Sequence, residues 1–274
     1  MLWCALFFGS GCGVSMFLHV KSVDIDEHLK VLLGGGGNST ILTHGKEAFV
    51  VDLKFGDYAL KLRREVEKDL GKKVQRVMLT HSHFDHAGGL WAFSGAPVVL
   101  VHPKARARLE KSGANARFVE VETEVRLTLG GEEVRVLNEG SGHTDGDLVA
   151  YVPNRKLLVA GDLFNCWHGP HVVPGDGGDI AALAGTMQRL LELDVERIVP
   201  GHGEVCDREP LVRTAAYLKA LKEQVAAARA EGLDENATVA KVTLAEYSDL
   251  EEFFGLDSKE TNVRRMWHSL GGGK

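Results

Sequence analysis

The chain has no long uncharged apolar run, and nowhere reaches the roughly 18 apolar residues in succession that a membrane-spanning helix requires. It has no surplus of positive charge either. Its 32 lysines and arginines are outnumbered by 38 aspartates and glutamates, a formal charge of −6 that offers phosphate backbones no long-range attraction, so nucleic acid is not an expected partner. Cysteine is sparse. Cys4, Cys12, Cys166 and Cys206 form no CxxC pair, which removes support for a zinc knuckle or a thioredoxin-type motif. No Gly-x-Ser-x-Gly elbow is present to supply a serine nucleophile. What remains is the composition of a soluble globular protein whose 274 residues could bury a substantial core in one large or two small domains.

The N-terminal MLWCALFFGSGCG is apolar and runs into small residues without a basic start. Residues 1–20 are read either as a hydrophobic leader, a signal or lipoprotein segment cleaved near Cys12, or as a first strand or frayed apolar end. The leader reading implies an exported or periplasmic protein, attached to a membrane only through a lipid; the other implies a cytoplasmic one. Gly9 stands where a lipoprotein site would have leucine.

From Asp24 onward, apolar β-rich runs alternate with turns at Gly34–Gly37 and His44-Gly45. The four glycines lack a following Gly-Lys-Ser/Thr and lead into a strand, so they are not read as a phosphate loop. The spacing predicts helices over 57–70, 103–111, 180–193, 210–232, 239–254 and 260–269. Strands are predicted at VQRVMLT, PVVLVH, EVRVLN, LVAYVP, KLLVAG and RIVPG. Their interleaving with helices indicates an α/β arrangement. Residues 21–274 are accordingly read as one domain with a helical tail over about 209–274.

The informative segment is Thr80-His81-Ser82-His83-Phe84-Asp85-His86-Ala87-Gly88-Gly89, at the end of VQRVMLT. Two residues apart on extended chain, His81 and His83 face the same way, while Asp85 and His86 fall in the turn into the next helix. Three further candidates follow other strands: His143 after EVRVLN, Asp162 at the end of KLLVAG and His202 after RIVPG. Ligands in α/β sheets gather at the carboxyl ends of strands, so this pattern predicts one convergent metal site. Ser82, Thr144 and Asp147 are candidates to orient the imidazoles.

His81-x-His83-x-Asp85-His86, with His143, Asp162 and His202, resembles the signature of the metallo-β-lactamase superfamily over roughly residues 30–205. The resemblance implies a four-layer αβ/βα sandwich of two mixed β-sheets with outer helices. It implies that His81, His83 and His143 hold one divalent ion, that Asp85, His86 and His202 hold the other, and that Asp162 bridges both. The implied cofactors are two divalent metal ions, zinc first, with iron or manganese also compatible with these donors. The implied reaction is hydrolysis of an ester, thioester, lactone or related small-molecule bond by a bridging hydroxide, with Asp85 as the candidate for proton transfer.

Asp162 stands where β-lactamases usually have cysteine or serine, which turns the reading toward glyoxalase II-like hydrolases. The run Gly201-His202-Gly203-Glu204-Val205-Cys206 lacks the basic and aromatic pattern of authentic glutathione thioesterases. Phe164, Asn165, Trp167, His168 and His171 follow the bridging position, and they are expected to line the substrate mouth or to form a packed loop. Two alternatives remain open: a mononuclear iron oxidoreductase resembling persulfide dioxygenases, and a metal-binding module without catalysis. Cys166 and Cys206 each lie four residues beyond a proposed ligand, as a disulfide or as two buried thiols.

Overall fold

The computed structural model describes residues 19–93, 97–252 and 257–271. The leader reading falls on residues 1–18, outside the described residues, together with Cys4 and Cys12.

Two sheets carry the chain. The first orders seven strands as β1 (Lys21–Asp26), β2 (Leu29–Leu33), β3 (Ser39–His44), β4 (Glu47–Val51), β5 (Lys73–Met78), β6 (Val98–Val101) and β7 (Arg117–Glu120). The pairs up to β3·β4 are antiparallel, and those from β4·β5 onward are parallel. The second sheet orders β12 (Arg197–Pro200), β11 (Leu157–Gly161), β10 (Val149–Val152), β9 (Glu132–Leu137) and β8 (Glu124–Leu129), with only β11·β12 parallel. Both sheets are mixed, as the resemblance implied.

Period-two alternation lets each central strand serve two cores. In β4, Phe49 and Val51 turn inward to meet Val136, Ala150 and Val159 of the second sheet, whereas Ala48 and Val50 pack outward. That outer face is covered by α1 (Gly56–Arg64) and α3 (Pro103–Lys111) through Leu62, Ala105 and Leu109. The second sheet's outer face, including Tyr151 and Leu158, is covered by α4 (Ile180–Glu192), α5 (Glu209–Ala230) and α7 (Lys259–Ser269) through Leu183, Leu218 and Met266. The result is helix, sheet, sheet, helix.

Two expectations need correction. The helix predicted over 239–254 is instead α6 (Glu235–Lys241), which ends where Val242 turns extended (ψ 129°), followed by a single 3₁₀ turn at Ala245–Tyr247. Strands β7 and β8 were not predicted. Both lie at sheet edges where half or more of the residues are exposed, so their apolar residues form no continuous run. Among the described residues, no helix is long and apolar enough to cross a membrane.

Candidate metal centre

The seven candidate ligands come from four strand ends. β5 runs through Leu79 and Thr80 into His81, and His83 is the extended residue capping the short helix α2 (Phe84–Ala87), which carries Asp85 and His86. His143 follows β9, Asp162 follows β11, and His202 follows β12. The side chains converge as two groups, His81, His83, His143 and Asp162 on one side and Asp85, His86 and His202 on the other. Within each group the donor atoms lie within 4.8 Å of one another. Asp162 faces both: its Oδ2 lies 3.5 Å from His143 Nε2 and 4.0 Å from His81 Nε2, and its Oδ1 lies 3.2 Å from His86 Nε2 and 3.5 Å from His202 Nε2.

Hydrogen bonds at the back of the rings decide which nitrogen faces the centre. His86 donates from Nδ1 to Asp52 Oδ2 at 2.7 Å, so its Nε2 presents a lone pair. His143 donates from Nδ1 to the His171 carbonyl at 3.0 Å, and His83 donates from Nε2 to Asp176 Oδ2 at 3.0 Å. His81 donates from Nδ1 to Thr80 Oγ1 at 3.0 Å, and that hydroxyl donates in turn to Asp52 Oδ2 at 2.7 Å. His81 Nε2 is buried without a hydrogen-bond partner. The consequence is that His83 Nδ1 and His143 Nε2 are acceptors aimed at one another 2.9 Å apart, while His86 Nε2 and His202 Nε2 lie 3.3 Å apart. Buried acceptors without a donor between them are costly, and a cation relieves that cost. The donor set therefore fits divalent metal, and its division into two groups fits two ions.

Electrostatics say the same. Burial opposes charge on His86 and His202, yet the Asp162 and Asp85 carboxylates push His202 up to about 9 and raise His86 well above its ordinary value. Burial favours the neutral carboxyl of Asp85, yet His86 and His202 hold it at about 2. His81 and His143, hemmed in by burial and other imidazoles, are held low, His143 at about 3. The negative field that raises His86 and His202 is one that attracts cations.

Two residues not anticipated from the sequence organise the first sheet's side. Asp52 leaves β4 with φ 60° and binds His86, Thr80 N at 2.8 Å and Thr80 Oγ1, so one buried carboxylate orients ligands of both groups. Lys54, also left-handed at φ 59° and fully buried, donates to the carbonyls of Leu32 (2.8 Å), Gly34 (2.5 Å) and Gly37 (3.0 Å). Burial draws its ammonium down to about 7. The three carbonyls nonetheless use all three of its protons and fold the Gly34–Gly37 turn against the site. At Gly37 an added Cβ would collide with the His86 ring. The only sequence signal for either residue was a polar side chain just past a buried strand, in VVDLK.

On the second sheet's side, Gly201 lies so close that an added Cβ would collide with Asp162 Oδ1. Asn165 Oδ1 accepts from His202 N at 2.9 Å, and Cys166 and Cys206 form a disulfide with their Cα atoms 6.5 Å apart. Phe164 is 1% exposed within the core under the second sheet, so Phe164 and Asn165 belong to a packed loop and not to a substrate mouth. Trp167 is exposed at φ 59°, and His168 is half-buried with Nδ1 donating to the Cys166 carbonyl. His171 stands beside His143 with ring centres 5.3 Å apart. Thr144 donates to Asp147 from N (2.9 Å) and Oγ1 (2.5 Å), which ties the loop after His143 together; neither of these contacts reaches an imidazole, and Ser82 is half-buried.

The sequence model of the metallo-beta-lactamase superfamily matches residues 32–202, well over half of the chain and ending on the last candidate ligand. The chain belongs to the metallo-beta-lactamase superfamily. A metallo-beta-lactamase type 2 from Bacillus cereus is 27% identical over 186 residues, covering 66% of this chain and 73% of that protein. The acyl-coenzyme A thioesterase MBLAC2 of Homo sapiens is 28% identical over 183 residues, covering 56% and 64%. Among solved structures, a metallo-beta-lactamase from Pontibacter korlensis superposes with a TM-score of 0.66 at 22% identity, over 73% of this chain and 99% of that one. A sec-alkylsulfatase from Pseudomonas sp. reaches 0.76 at 16% identity, over 93% and 51%. These structural likenesses speak for the fold. Proteins of the superfamily bind divalent metals and the sequence relatives are hydrolases, so at that level this chain is a metal-binding protein of a hydrolase superfamily.

Proposed function

We propose that the chain is a hydrolase holding two divalent ions, zinc by preference, that cleaves an ester, thioester, lactone or related bond of a small molecule. One observation carries the reading: lone pairs of buried imidazoles and two carboxylates converge in two groups that share Asp162. Two such ions acidify a water and polarise the scissile oxygen, so no serine or cysteine nucleophile is needed.

The chain's own residues then divide the labour. His81, His83 and His143 would hold one ion and Asp85, His86 and His202 the other, with Asp162 available to both. Asp162 is 7% exposed at its side chain and Asp85 is 26% exposed. The more open carboxylate is the one able to meet a leaving group, so Asp85 is assigned proton transfer. Asp52 and Thr80 keep His81 and His86 in one tautomer and one orientation. The thioesterase name of the human relative falls within the proposed substrate class. Aspartate at 162, where β-lactamases usually have cysteine or serine, turns the reading away from β-lactams.

The test is metal content and turnover on one preparation, using ester, thioester, lactone and phosphodiester substrates. Chelation should abolish turnover and added zinc should restore it. Turnover that survives chelation, or a protein holding one iron and consuming oxygen with a persulfide, would reject the reading.

A further inference from the structure

Arg108, in the last turn of α3, reaches from the first sheet's outer layer to the loops of the second sheet. Its Nη2 donates to Asp145 Oδ1 at 2.6 Å and to the Asp176 carbonyl at 2.8 Å, and its Nε lies 3.2 Å from Asp176 Oδ1. Asp176 turns its other oxygen to the metal centre, where Oδ2 accepts from His83 Nε2 at 3.0 Å. Asp145 stands two residues after His143. One guanidinium is thereby joined to two candidate ligands of the same ion, to His83 through a carboxylate and to His143 through the chain.

His83 is the imidazole with most need of such a hold. Its side chain is 23% exposed, against 2% or less for His81, His86, His143 and His202, so packing fixes it least. It also meets the site through Nδ1, an orientation set by the hydrogen bond from its Nε2. Asp176 is itself 34% exposed, and so open a carboxylate turns to water unless something holds it. Arg108 does so. The backbone fixes the rest: Ala105 and Leu109 seat α3 in the first sheet's outer core, and Asp145 N donates to the Asp176 carbonyl at 3.0 Å. At Gly177 (φ 73°) an added Cβ would strike the Asp145 carboxylate. Among the described residues, the hydrogen bonds and ion pairs of Arg108 and Asp176 lead to His83 and to the loop after His143, and none goes to Asp85, His86 or His202.

We propose that Arg108 is a positioning residue for the ion of His81, His83 and His143 and for that ion alone. Its fork holds Asp176 and Asp145 together, Asp176 keeps the proton of His83 on Nε2, and Nδ1 is left aimed at the metal. The inference rests on the two-ion hydrolase reading above and goes beyond it by giving one of the two ions a support of its own. The rigid, planar guanidinium meets three oxygens in different directions, whereas a lysine ammonium on its flexible stem would hold one carboxylate at a time.

The experiment is zinc binding by competition with a chelator, resolving two dissociation constants, on wild-type protein, Arg108→Met, Arg108→Lys, Asp176→Ala and the double variant Arg108→Met with Asp176→Ala. Anomalous peak heights from crystals held at limiting zinc assign each constant to its place. One zinc ion should bind about 10–100-fold more weakly in Asp176→Ala and about tenfold more weakly in Arg108→Met, with partial recovery in Arg108→Lys. The other should change less than threefold, and the peak that fades should be the one among His81, His83 and His143. Because Arg108 acts through Asp176, removing it from Asp176→Ala should cost less than removing it from the wild type. A purely structural role would weaken both ions alike or neither, and either result overturns the proposal. Should Arg108→Met fail to fold, Arg108→Lys and Asp176→Ala carry the same test of selectivity. Wild-type protein that binds no zinc overturns the hydrolase reading and this one with it; wild-type protein and Arg108→Met that bind two ions equally tightly overturn this one alone.

Discussion

The two sheets hold their shares of the metal centre by different means. Around the His81–His86 segment, positioning is done by buried polar side chains: Asp52 grips His86 and Thr80, and Lys54 grips three carbonyls of the neighbouring turn. Around Asp162 and His202 it is done by backbone and covalent links: Gly201 N donates to the Gly161 carbonyl at 2.9 Å, Asn165 holds His202 N, and Cys166–Cys206 closes the pair of loops. The difference follows from what is placed. Four ligands within six residues need their rings aimed individually, whereas ligands on separate strand ends need their loops brought together.

Four variants break or sharpen that contrast. Asp162→Ala removes the residue both halves share, and turnover is expected to fall by at least about a thousandfold, several kcal/mol of transition-state stabilisation, with fewer than two metal equivalents retained. Asp52→Asn leaves every direct ligand in place yet disturbs one ligand of each group. Its zinc affinity, read by competition with a chelator, is expected to drop about 10–100-fold. A change below threefold would mean that the buried network is incidental.

Asn165→Ala acts on the other side through a single backbone contact, so its effect on zinc affinity should stay within about tenfold, the net worth of one hydrogen bond. Smallest in turnover is the pair Cys166→Ser with Cys206→Ser. Stability measured by denaturant should fall by about 2–4 kcal/mol, while kcat with zinc in excess changes little, because the strand-end hydrogen bonds remain. Equal losses of zinc affinity in Asp52→Asn and in the double serine variant would erase the distinction between the halves.

Much of the centre was legible in the sequence because metal ligation demands particular residue types at strand ends, and His81, His83, Asp85, His86, His143, Asp162 and His202 all stand there. Asp52 and Lys54 were not legible. Their role depends on a left-handed exit from β4 and on which loop folds over them, and neither leaves a local pattern. Phe164 and Asn165 illustrate a second limit: proximity in sequence to a ligand says nothing about which way a loop side chain turns, and both turn inward. The helix over 239–254 was overread because apolar spacing continues through Val242 and Leu244 after the backbone has left helical geometry; both residues are buried against the helical layer from extended or irregular chain.

The central claim, that these side chains gather two cations, is most directly tested by anomalous diffraction at the zinc edge from crystals of the zinc-loaded protein. The account predicts two peaks, one among His81, His83 and His143 and the other among Asp85, His86 and His202, with Asp162 reaching both. A single peak, or zinc bound away from these residues, would contradict it.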